Sequence, residues 1–90
     1  MSSCVRIVVK GLVQGVGFRY FVHRRASALS LRGCVRNLIS GDVEIEAVGE
    51  KSDLDKLVAD IRVGPRAAHV IGLEIDWSAD IEAKANFEIE

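Results

Sequence analysis

Residues 31–48 read Leu-Arg-Gly-Cys-Val-Arg-Asn-Leu-Ile-Ser-Gly-Asp-Val-Glu-Ile-Glu-Ala-Val, and their pattern decides how the chain folds. The second half alternates, with Val43, Ile45 and Ala47 on one side and Asp42, Glu44 and Glu46 on the other, the period of a half-buried strand. Ser40-Gly41 just before it is a turn signal. Parity then sets the register, because directly opposed residues in an antiparallel pair share a face. A two-residue loop at positions 40 and 41 would oppose Asn37 to Glu44 and Val35 to Glu46, which mixes the faces. A three-residue loop over 39–41, with Gly41 left-handed in a G1 bulge, opposes Val35 to Ile45, Arg36 to Glu44 and Asn37 to Val43. The spacing therefore predicts a hairpin with arms 31–38 and 42–48.

Upstream, residues 5–10 alternate Val5, Ile7 and Val9 with Arg6, Val8 and Lys10, a second strand pattern. Over residues 19–29 the apolar positions change to Val22, Ala26 and Leu29, with Phe18 one turn earlier, and a helix follows with His23, Arg24 and Ser27 toward water. Downstream, Gly49 ends the hairpin and Ser52-Asp53-Leu54-Asp55 resembles a capping box. Leu54, Leu57, Val58 and Ile61 then repeat at helical spacing until Gly64-Pro65 stops the helix. Residues 70–75 and 86–89 read as strands, the second short, with a polar loop between them in which Trp77 is expected to cover the sheet edge. The order β-α-β-β-α-β with a short extra C-terminal strand predicts an α+β fold, a ferredoxin-like sandwich whose antiparallel sheet carries two helices on one face. The other face, with Arg6, Lys10, Arg32, Arg36, Glu44 and Glu46, is expected to be solvated.

Composition narrows the function classes. Ninety residues with 49% hydrophobic and 28% charged content suit one globular domain spanning 1–90. The net charge of −1 supplies no field for a polyanion, and the exposed strand positions carry charges where an RNA-binding sheet has aromatic residues, so no nucleic acid is expected. There is no apolar run long enough for a membrane span and no signal-peptide pattern at the start, which points to a cytoplasmic protein without a membrane partner. Cys4 and Cys34 are expected to be free thiols, about 10 Å apart across an intervening strand. His23 and His69 stand 46 positions apart and no Cys-x-x-Cys occurs, so neither a metal nor another cofactor is expected. Both histidines read as surface residues.

Between the first strand and the first helix lies Gly11-Leu12-Val13-Gln14-Gly15-Val16-Gly17-Phe18-Arg19. Gly15 and Gly17 permit a tight turn against a ligand, the helix that follows offers N–H groups and a positive dipole end, and Arg19 adds a forked, permanent charge. That is anion-binding geometry. On its own the pattern also fits a plain tight turn with Arg19 in solvent, and Asn37 alone fits a turn-adjacent side chain bonded to its own backbone.

The segment closely resembles the acylphosphatase signature, and Gly33-Cys34-Val35-Arg36-Asn37-x-x-x-Gly41-x-Val43-Glu44 resembles that family's second motif at the right distance. Gly64-Pro65 and Phe87-Glu88-Ile89 are similar to further family features, so the resemblance spans nearly the whole chain. It implies an enzyme that hydrolyses the carboxyl-phosphate bond of a small acyl phosphate, as a monomer without cofactor. It implies a phosphate-binding loop over Gln14, Gly15, Val16, Gly17, Phe18 and Arg19, with Arg19 and Asn37 catalytic: Arg19 holds the phosphate and Asn37 orients the attacking water. Parity puts Asn37 on the helix-covered face beside Val35, where an amide without partners would cost about 1–3 kcal/mol. The alternative is a non-catalytic module binding phosphate or carbamoyl phosphate, since similar domains occur fused in larger carbamoyl-transfer proteins. Two positions depart from the family pattern, Ser30 where glycine is usual and Cys34 where an aromatic residue is common.

Overall fold

A computed structural model describes residues 2–82 and 84–90. Its elements are β1 (Ser2–Leu12), α1 (Phe18–Ala28), β2 (Arg32–Asn37), β3 (Val43–Glu50), α2 (Lys51–Val63), β4 (His69–Asp76) and β5 (Phe87–Ile89). The strands form one sheet in the order β4-β1-β3-β2-β5, the ferredoxin-like arrangement. Four strands are antiparallel. The short fifth runs parallel to β2, pairing Gly33 with Phe87 and Val35 with Ile89, so the sheet as a whole is mixed.

The hairpin register is the one that parity demands, with Val35 opposite Ile45, Arg36 opposite Glu44 and Asn37 opposite Val43. The Leu38 amide donates to the Asp42 carbonyl at 2.9 Å, which closes a three-residue loop with Gly41 at φ 99°. Val5, Ile7 and Val9 of β1 and Val43, Ile45 and Ala47 of β3 are fully buried against Val22 and Ala26 of α1 and Leu54, Leu57 and Ile61 of α2. Both helices thus cover the face that the alternation makes apolar.

Two local expectations need correction. The capping box at Ser52 does not form: β3 runs on to Glu50, paired with Ser2, and α2 starts at Lys51 with no side chain bonded to its start. Strand pairing uses the residues that a separate cap would need. The opposite sheet face is not freely solvated either. Arg6 donates to Glu46 at 2.9 Å, Arg36 bonds Glu44 and Glu46, and Lys10 bonds Asp42 at 2.7 Å, in a half-buried ionic lattice across β1, β3 and β2. Cys34 is buried within it, its thiol pushed up to about 11 by desolvation, so it stays protonated at neutral pH. Cys4 and Cys34 are free, with β3 between their strands.

Trp77 lies just past edge strand β4, with the Lys51 ammonium 4.2 Å above its ring. His69 is exposed, as expected, but His23 is half-buried with its ring 6.4 Å from that of Phe87, because β5 closes over that flank of α1. Among the described residues no helix is long and apolar enough to cross a membrane, and no group of three His, Cys, Asp or Glu could hold a metal ion.

Candidate active site

The loop between β1 and α1 is fixed at both ends by the core. Val13 before it and Phe18 after it are each 1% exposed, while Gly15 and Gly17 between them lie at the surface. Gly15 has φ 73° and Gly17 φ 78°, left-handed values that strain an L side chain. The two glycines let the chain reverse within four residues of a buried anchor. Val16 turns back to pack against the core.

Gly17 is also the N-cap of α1. It carries no side chain to occupy the helix start, no side-chain cap bond is made there, and the first turn has no acidic residue. The first-turn N–H groups and the helix dipole therefore act together at this point. The Arg19 guanidinium donates to the main-chain oxygen of Glu90 at 2.8 Å, which ties it to the end of β5 with one of its five N–H donors.

A pocket of about 200 Å³ opens over the loop, lined by Gly15, Gly17, Arg19 and Asn37 together with Tyr20 and Ile89. Residues 18 positions apart in sequence, Arg19 and Asn37, meet there because β1 and β2 flank β3 and the hairpin returns its turn to the loop's end of the sheet. Asn37 is exposed, not buried under the helices. Its register is as parity requires, but the helix cover ends before the tip of β2, so its amide faces the pocket mouth without the desolvation cost that burial would impose. Gln14 is half-buried beside the pocket, and its amide donates to the carbonyls of Leu38 and Asp42 at 2.7 and 2.8 Å.

The family model for acylphosphatase matches residues 5–89. The chain belongs to the acylphosphatase family. An acylphosphatase of Archaeoglobus fulgidus is 47% identical over 85 residues, covering 94% of each chain. The crystal structure of acylphosphatase from Bacillus subtilis superposes with a TM-score of 0.93 at 38% identity, covering 100% of this chain and 99% of that one. A full-length HypF in a phosphate- and nucleotide-bound form contains the same fold, with a TM-score of 0.90 at 32% identity over 100% of this chain and 12% of its own.

Against the acylphosphatase signature, the pocket is lined by Gly15, Gly17, Phe18, Arg19 and Asn37, whereas Gln14 and Val16 do not line it. Tyr20 and Ile89 are pocket residues that the sequence pattern does not assign to the site. Tyr20 had a readable signal: it lies off the buried stripe of Phe18, Val22 and Ala26, next to Arg19, and is 61% exposed. Ile89 stood within the family-like Phe87-Glu88-Ile89, but its place in the pocket had no signal, since it follows from the parallel pairing of β5 with β2.

Proposed function

We propose that Arg19 and the backbone N–H groups of residues 14–19 hold the phosphate of an acyl phosphate while Asn37 orients the water that attacks it. The overall reaction, hydrolysis of an acyl phosphate to carboxylate and inorganic phosphate, is the one that acylphosphatase membership supports. The observation that carries the residue roles is the shared pocket of Gly15, Gly17, Arg19 and Asn37 at an uncapped helix start.

The chemistry asks little of the protein. Water oxygen bonds to phosphorus, the bond from phosphorus to the carboxyl oxygen breaks, the electron pair leaves on the carboxylate, and the proton released by the water stays with the phosphate. A carboxylate has a conjugate acid of pKa about 4, so the leaving group needs no proton at neutral pH. In a loose transition state the charge spreads over the phosphoryl oxygens, and fixed N–H donors with one guanidinium stabilise it. The Asn37 amide is no base at ordinary pH. It contributes by holding water in line, and its exposure at the pocket mouth lets that water come from solvent.

The reaction so written uses no metal, no other cofactor and no covalent intermediate. The same reading takes the protein as a cytoplasmic monomer acting on a small molecule. The similarity to part of HypF supports a second reading, a module that binds phosphate or carbamoyl phosphate without turnover. Hydrolysis of acetyl phosphate by the purified protein separates the two. Arg19→Ala is expected to lose both affinity and rate, Asn37→Ala to lose about a hundredfold in kcat with KM little changed, and a chelator to change nothing. Wild-type activity no higher than buffer, or both variants equal to wild type, would sink the catalytic reading.

A further inference from the structure

The ladder between β1 and β3 ends at Val9–Val43, and from Lys10 onward the backbone of β1 pairs only with β4. Among the described residues, the hairpin tip beyond Val43 therefore has no backbone bond to the strand that leads into the phosphate loop. Gln14 supplies one through its side chain. Its Nε2 donates to the Leu38 carbonyl at 2.7 Å and the Asp42 carbonyl at 2.8 Å. Those two residues close the neck of the hairpin loop, one position beyond Asn37.

Both partners are carbonyl oxygens, so only the amide nitrogen can face them, and its two hydrogens are both used. What remains is the amide oxygen, an acceptor, which has no proton to offer a phosphate oxygen. We infer that the Gln14 side chain is a positioning residue that locks the phosphate loop to the hairpin neck and so holds the Asn37 amide at a fixed distance from the bound phosphate. The inference rests on the roles proposed above for the loop and Asn37. Gln14 then serves the reaction twice, by its backbone toward the phosphate and by its side chain toward the hairpin.

Gln14→Met keeps the length of the side chain and removes both donors. With acetyl phosphate as substrate and inorganic phosphate as competitive inhibitor, kcat is expected to fall about tenfold to thirtyfold, since a misplacement of about 1 Å can cost about a hundredfold. KM and the phosphate inhibition constant should move less than about threefold. In an Asn37→Ala background the same substitution should cost no more than about twofold further, because its effect passes through Asn37. A rise in both binding constants with kcat unchanged would make Gln14 a direct phosphate ligand and overturn the inference. Losses that multiply in the double variant, or wild-type constants in Gln14→Met, would overturn it as well. If Gln14→Met does not fold, Gln14→Asn, which withdraws the amide by one methylene, is read by the same criteria. Full activity of Asn37→Ala alone is a different result, which removes the underlying reading and this inference with it.

Discussion

Ser30 has φ 57°, and it is the one non-glycine residue with positive φ among those described. It follows α1, where its amide donates to Ser27 and the Leu31 amide reaches back to Ala26 at 2.9 Å, so the chain must turn left-handed to leave the helix. An L residue in that conformation costs about 1–2 kcal/mol. Glycine would relieve this but lose about 0.4–1 kcal/mol through its freer unfolded chain. Ser30→Gly is therefore expected to raise unfolding free energy by roughly 0.5–1 kcal/mol in urea melts. A loss of stability would show that Ser30 is not strained. Asn37 illustrates the limit of residue-level reading. Its side and partner follow from alternation alone, but its exposure depends on where the helices stop.

The hairpin and β1 are joined on the outer face by ion pairs whose partners belong to different elements. The Lys10 hydrogen bond holds Asp42 below its usual carboxylate range, and the Arg6 hydrogen bond does the same for Glu46. A carboxyl depressed by folding adds stability that is present above its unfolded value and is lost as pH falls through the folded one. The bond with Asp42 likewise raises Lys10, whose contribution is present below the ordinary lysine value and is lost as pH rises through the folded one. Stability should thus be level near neutrality, decline below about pH 4 and weaken again above about pH 10. Urea melts across pH test this, with Lys10→Met expected to lose part of the acid decline. A pH profile identical to wild type would mean that the pair contributes nothing. Each charge on this lattice was visible in the alternation of β1, β2 and β3. Its half-burial was not, because it arises from three strands laid side by side.

Over the whole molecule, one core joins both helices to the sheet, and the site hangs from it by Val13 and Phe18. Leu57 of α2 is fully buried and outside the pocket. Leu57→Ala is expected to cost about 2–5 kcal/mol, while KM for acetyl phosphate measured below its melting transition stays at the wild-type value. A raised KM in the folded variant would show that α2 packing reaches the loop. The sequence by itself determined the strand and helix order, the hairpin register and the glycine-rich turn before a helix, because periodicity, parity and φ freedom are local and each is written in a few neighbouring residues. Only the tertiary structure decided that Asn37 faces the pocket mouth, that His23 is flanked by Phe87, that β5 runs parallel to β2 and brings Ile89 into the pocket, and that Gln14 grips the hairpin neck. These depend on which strands become neighbours and where cover ends, and such distances are set by the packing of the entire chain.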